Sequence, residues 1–325
     1  MYQVSDLEKQ FTAALKSIAR RSDLKSYVEQ TPQVNRLLRL TADRYVTGEH
    51  RKDGLNVGRK LLAKGYAVSI EYIGENTTVA TECEAAALEM MALIHDLSQG
   101  GVPARVSFDL SHIGLSLDKE FAFSHLMNLA EQAQEAGVEL FISMEESSKT
   151  DDILSVYERA ASFNPNIGIT LQAHLTRTPQ DLAAIVASPS RIRIVKGAYQ
   201  EPADCSIPRS STLSDRYLEL VESTIRQGHR VSIATHDEHI IEEVLERGWL
   251  SNSDVEFEML YGIRPDLSSS LKAAGHPVRI YLTYGHQWFL YLCHRIAEYP
   301  PNLFQAVMDM VSNEEVEVEV IKAYG

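Results

Sequence analysis

Eight times between residues 66 and 298 the chain repeats one unit: a short aliphatic, β-branched run, then a longer stretch with apolar residues at helical spacing. The expected strands are 67–73, 104–110, 138–144, 167–172, 192–195, 230–234, 255–260 and 278–282. The helices between them are expected at 77–97, 119–136, 151–162, 179–186, 212–226, 238–246 and 267–274, and a last one follows the eighth strand. Turn residues such as Gly100-Gly101, Gly137, Asn164-Pro165, Gly228 and Gly275 close the units. Strand then helix with short connections implies parallel strands, and eight such units are the pattern of a (βα)₈ barrel. A doubly wound open sheet is the structural alternative. It fits less well, because the count reaches eight and no Gly-rich dinucleotide turn follows the first strand.

Ahead of this array, residues 1–65 read as helices only, at 4–18 behind Ser5-Asp6 as an N-cap, 37–45, and 55–63 ended by Gly65. The expected division is a helical N-terminal arm 1–65, the barrel 66–302 and a C-terminal segment 303–325, whose acidic run 314–319 is a helix end or a frayed tail. A net charge of −14 excludes a general nucleic-acid or anionic-membrane surface, since phosphate binding needs clustered Lys and Arg. The basic runs 16–21 and 36–44 lie at helical spacing and read as solvated faces. Cys83, Cys205 and Cys293 are far apart without metal spacing, which points to a reducing, cytoplasmic setting. No run of 18 apolar residues and no signal-peptide core occur.

In the last helix Trp288, Tyr291, His294, Arg295 and Glu298 share one face. A buried Arg295 must meet an anion. The plain alternative is a solvated helix carrying an i, i+3 Arg–Glu pair. In a barrel the chemistry belongs at the strand C-termini, which here carry Glu71 and Glu75, Asp109, Glu145 and Glu146, Gln172 and His174, Lys196–Tyr199, Thr235–Asp237, Glu258 and Tyr281. Arg193, inside a strand, needs an anion or an electron-rich ring beside it. Gly197-Ala198 lets backbone approach a ligand, and Asp237 sits where it would cap the next helix. His112, His174 and His236 lack ligand spacing, so no metal site is expected.

Taken in order, EYIGEN (71–76), RIVKGAY (193–199), ATHD (234–237), EFEMLYGI (256–263) and VRIYLTYG with WFLYLCHRIAE (278–298) lie at strands one, five, six, seven and eight. This set resembles the proline dehydrogenase family, FAD-dependent (βα)₈ barrels, over about residues 65–302. The resemblance implies FAD across the strand ends and hydride removal from the ring carbon beside nitrogen of proline or a proline-like cyclic amine, giving a pyrroline-type imine. Electrons would pass to a quinone or other acceptor, and a quinone would bring peripheral membrane contact. Gln172, Arg193, Lys196, Gly197, Thr235 and His236 match flavin-contacting positions, with Arg193, Lys196, Tyr291 and Arg295 as the catalytic set. Ala198, Tyr199, Leu260, Tyr281, Tyr291 and Arg295 match positions around the substrate, and Glu75 the acid that pairs with a helix arginine to close the mouth.

Several positions depart from that family's pattern. His294 stands where an arginine is expected, Asp109 where a lysine is, Ser143 where a carboxylate is, Glu258 where a glutamine is, and Thr283 where a proline is. The flavin side is kept and the carboxylate side is not. A substrate ring whose carboxylate is missing, masked or differently held is therefore expected, with Asp109 receiving an ammonium or hydroxyl. Three rival readings are an ordinary proline dehydrogenase in which Arg295 and His294 suffice for the carboxylate, a flavin-free binding or regulatory barrel, and a Schiff-base lyase using Lys196.

Overall fold

The computed structural model describes residues 6–19, 21–185, 190–299, 302–311 and 316–325. Eight parallel strands pair in chain order and close: β1 (Ala67–Tyr72), β2 (Ala104–Phe108), β3 (Glu139–Ile142), β4 (Ile167–Gln172), β5 (Arg191–Val195), β6 (Arg230–Ala234), β7 (Val255–Leu260) and β8 (Val278–Tyr284). Closure runs through β1 and β8, with Val68 beside Ile280 and Ile70 beside Leu282. The (βα)₈ expectation therefore holds, and strand limits agree to within a residue or two.

Alternation along the strands separates two environments. Val68, Ile70, Val106, Phe108, Ile169, Ile192, Ile194, Val231, Ile233, Phe257 and Ile280 are fully buried in one apolar cluster with the surrounding helices. Their neighbours Ser69, Arg105, Ser107, Thr170, Arg193, Ser232, Glu256 and Glu258 are buried and bond to one another across the barrel. The interior is thus a polar lattice where most such barrels hold branched aliphatics. Arg105 pairs with Glu139 and Glu256, and Arg279 donates to Glu256 at 3.1 Å.

The outer helices include α5 (Ala80–Gln99), α6 (Lys119–Ala136), α7 (Thr150–Ala161), α9 (Ser211–Arg226), α10 (Glu238–Glu246) and α11 (Pro265–Ala273). Asp118 caps α6 through the Phe121 N–H, Ser210 caps α9 through Leu213, and Asp237 caps α10 through His239 at 3.0 Å. The expected helix 179–186 is found as Thr178–Ala184, and its last position lies outside the described residues.

Four helices precede β1: α1 (Asp6–Ala19), α2 (Ser22–Gln30), α3 (Pro32–Ala42) and α4 (Arg51–Ala63). Ser5 and Arg20 lie outside the described residues, so the expected N-cap and part of the first basic run do too. α2 was not expected, because its apolar content is confined to Leu24, Tyr27 and Val28. α4 packs against β1 and β8, in the gap of the helix ring, and α14 (Val316–Ala323) packs against α4 and α11. The acidic run is thus helical from Val316, and its first two residues lie outside the described ones. We propose the three-part division 1–65, 66–302 and 303–325, with α4 and α14 the parts of the first and last segments that pack on the barrel's elements.

α12 (Trp288–Glu298) follows β8 and packs against α1, α3 and α13 (Asn302–Val311). Its Trp288, Phe289, Leu292, Cys293 and Ile296 join Ala19, Val28, Ala42, Tyr45, Val46 and Ala306 in a second apolar cluster. Trp288 therefore belongs to the arm side, with Arg39 over its ring at 5.3 Å, and not to the polar face. A buried ion pair secures this roof: Arg44 Nε and Nη2 each reach the Asp309 carboxylate at 2.7 Å. Among the described residues no helix is long and apolar enough to cross a membrane.

Arg44→Leu leaves Asp309, 1% exposed, as an uncompensated buried charge. It should cost about 3–5 kcal/mol in urea unfolding, and Arg44→Leu with Asp309→Leu should recover most of that. A loss well under about 1 kcal/mol for the single variant would contradict this role.

Candidate active site

Beneath the mouth, Arg193 is held in a fork: Nε and Nη2 reach Glu258 at 2.9 and 2.8 Å, and Thr170 and Ser107 hydroxyls accept at 3.2 and 3.1 Å. Its guanidinium lies 4.3 Å from the Phe141 ring centre and 4.8 Å from that of Tyr281. The anion and the ring expected beside Arg193 are both present. The anion is Glu258, where the family pattern puts a glutamine, so this chain neutralises Arg193 from within.

Tyr281 passes the arrangement upward by donating its hydroxyl to Glu71 at 2.6 Å. Burial pushes the Glu71 carboxyl up to about 7, against the pull of the Tyr281 bond and of the Arg193 and Arg295 cations. Tyr199, after β5, donates to Glu75 at 3.3 Å. Glu145 is fully buried, accepting the Ser111 N–H at 2.9 Å and the Lys149 ammonium at 2.6 Å; Lys149 also reaches Glu146 at 2.9 Å. Asp109, at the end of β2, is 9% exposed, and its carboxylate has no hydrogen bond or ion pair among the described residues. Burial and the charges of Glu145, Glu71 and Glu75 push it well above the ordinary carboxylate range.

On the opposite side, Lys196 donates to Asp237 at 2.5 Å and to Ser214 at 3.1 Å. Asp237 thus caps α10 and holds Lys196 at once. Thr235 Oγ1 accepts the Asp237 N–H at 3.1 Å, and Gln172 donates to the Glu145 carbonyl at 2.8 Å. His236 Nε2 accepts the Leu260 N–H at 3.0 Å, and burial followed by the Arg295 and Arg264 charges lowers it to about 3. The ring stays neutral, which leaves its proton on Nδ1 as a donor. Gly197 has φ +105°, and a Cβ there would meet the His174 ring at 2.3 Å, so only glycine fits this turn.

Above, α12 presents Tyr291 and Arg295. Tyr291 bonds with Thr283 and, buried, is raised to about 12. Arg295 lies 4.8 Å over the Tyr291 ring and pairs with Glu298 at 2.8 Å, while its Nε has no partner among the described residues. Its cation acts on Glu71, Tyr281 and His236, which places it over the mouth. The i, i+3 pair of the plain reading therefore exists, but it is largely withdrawn from solvent above the barrel and not on a solvated face. The partner of Arg295 is thus Glu298 on its own helix. His294 lines a cavity of about 470 Å³ with Ala13, Ser17, Arg21, Ala198, Tyr199 and Gln200, between α1 and the turn after β5.

Arg193, Lys196, Gln172, Gly197, Thr235, His236, Leu260, Tyr281, Tyr291, Arg295, Glu75, Asp109, Ala198, Tyr199 and His294 thus gather at one end of the barrel. Sequence reasoning did not single out Lys149, whose signal was its i, i+4 spacing to Glu145 on a polar loop, or Glu71 as a titrating group. No group of three or more metal-ligating side chains occurs among the described residues.

The donor set suits a flavin nucleotide. An amide, an ammonium, a hydroxyl and a neutral imidazole N–H line the ends of β4 to β6 beside the close-approach turn at Gly197. Residues 55–299 match the family model described as proline dehydrogenase. The chain is 31% identical over 267 residues to Proline dehydrogenase 1 of Bacillus subtilis (strain 168), covering 81% of this chain and 88% of that one. It is 32% identical over 297 residues to the proline dehydrogenase of Deinococcus radiodurans, covering 87% and 96%. Among solved structures, proline utilization A (PutA) from Bdellovibrio bacteriovorus inactivated by N-propargylglycine superposes with TM-score 0.77 at 17% identity, over 98% of this chain. This chain spans 44% of that protein's length, and at that identity the likeness speaks for the fold.

Because the Glu71 proton is held to higher pH in the folded chain than at the ordinary value of 4.5, its contribution to stability is full at acid pH and lost as pH rises through about 7. Glu71→Gln should flatten the fall in urea-unfolding stability across that window. An unchanged pH profile would contradict the assignment.

Proposed function

The chain belongs to the proline dehydrogenase family, and we propose that it is a flavin-dependent oxidoreductase that oxidises the CH–NH bond of proline or a proline-like cyclic amine to the imine. FAD would be held by Gln172, Lys196, Gly197, Thr235 and His236, beside Arg193. When bound, it supplies the acceptor, at its N5, for the hydride leaving the ring carbon next to nitrogen. A quinone or another acceptor would be the final electron sink.

The observation that carries the reading is the largely buried Arg295–Tyr291 pair facing the acids and tyrosines of the strand ends, with one guanidinium N–H left for a ligand. Tyr291 and Tyr281 would wall the substrate ring. Glu71 fixes the Tyr281 hydroxyl, and Glu75 fixes that of Tyr199. His236, kept neutral, offers an N–H without adding charge. The roof of α12, packed on α1, would keep water from the reacting carbon.

Incubation with L-proline and an artificial dye acceptor should reduce the dye and yield a pyrroline trapped by o-aminobenzaldehyde. Arg295→Met should lower kcat/KM for L-proline by about 10- to 100-fold, the size of a charge-assisted hydrogen bond, and mostly through KM. Dye reduction without a trapped imine, or an Arg295→Met enzyme indistinguishable from wild type, would overturn this assignment.

A further inference from the structure

Among the described residues the charges around the mouth do not balance. Glu71, Asp109, Glu145 and Glu298 face two cations, Lys149 and Arg295. Lys196 is matched by Asp237 and Arg193 by Glu258, so neither adds free positive charge. Arg295 is itself matched by Glu298. What stands out is Asp109. About nine-tenths buried, its carboxylate meets no hydrogen-bond donor among the described residues. It feels the charges of Glu145, Glu71 and Glu75, partly offset by Lys149, and lies within electrostatic reach of Tyr199 and Tyr281. A largely buried acid without a hydrogen-bond donor is a costly arrangement that a ligand N–H would relieve.

We propose that the mouth is built for a cyclic secondary ammonium without a free carboxylate, a pyrrolidine-type cation whose ring substituent is absent or an uncharged amide or ester, with Asp109 accepting an N–H of the ligand. A carboxylate in the same position would face Asp109 and Glu71, with Lys149 and Arg295, both already paired, to attract it. The raised carboxyls of Glu71 and Asp109 fit a site short of one positive charge. The inference rests on the proposed amine oxidation for its choice of ring, and on the mouth's charges alone for its choice of substituent.

The test pairs binding with turnover on the purified full chain. Calorimetry should show L-prolinamide and pyrrolidine binding about 10- to 100-fold more tightly than L-proline. The kcat/KM values should follow the same order. Asp109→Asn should cost the two carboxylate-free ligands about tenfold or more and L-proline much less, collapsing the preference. Asp109→Lys should reverse it. L-Proline binding and turning over at least as well as prolinamide and pyrrolidine in the wild-type protein would overturn the inference while leaving amine oxidation intact. The predicted order of binding, without oxidation of any of the three, would support the inference and end the enzymatic reading instead.

Discussion

The ion pair between Arg193 and Glu258 is the constraint from which the upper barrel takes its form. Two charges in a closed interior would each cost several kcal/mol if left alone, and a bidentate fork with hydroxyls on the remaining donors removes most of that cost. Once the fork is set, the position of the Arg193 plane fixes what can stack on it. Phe141 takes one contact and Tyr281 another, and the Tyr281 hydroxyl then fixes Glu71 at the rim. One pairing deep in the barrel thus positions an acid at its mouth. Below it, the Arg105 and Arg279 contacts with Glu256 repeat the same solution.

The rim could not work without its roof. α12 carries apolar residues on one side and Tyr291, Arg295 and Glu298 on the other, and it lies over the barrel only because the N-terminal helices and α13 give the apolar side a second core. The Arg44–Asp309 pair links these two parts of the chain directly. The arm therefore borders the site: α1 contributes Ala13 and Ser17, and the link to α2 contributes Arg21, to the cavity beside it.

How much of this could be read from residues alone divides along physical lines. The eight strands were legible because period-2 runs between turn residues are a local signal. The gathering of the motifs followed, because strand C-termini meet at one end of any such barrel. Partners across the barrel were not legible. That Arg193 finds Glu258, or Arg105 finds Glu256, depends on register and on which face each strand turns inward. Trp288 was placed on the wrong side because helical spacing cannot tell an aromatic facing a second core from one facing a site. Lys196 and Asp237 were each noticed for a different reason, and only the fold shows them bonded. The weak apolar pattern of α2 hid a helix held by its neighbours. Asp109 and His294 were visible as departures, but the lack of any partner for Asp109 needed coordinates.

On the proposed function, a flavin ring would sit between the polar ends of β4 to β6 and the roof of α12, with an amine substrate beneath Arg295. The most direct measurement is the visible spectrum of the purified protein, reconstituted with FAD if necessary, under anaerobic conditions before and after adding a cyclic secondary amine. The account predicts the bands of an oxidised, protein-bound flavin that bleach when the amine is added. A protein that stays colourless after FAD is supplied, or flavin bands that persist in the presence of proline, prolinamide and pyrrolidine alike, would contradict it.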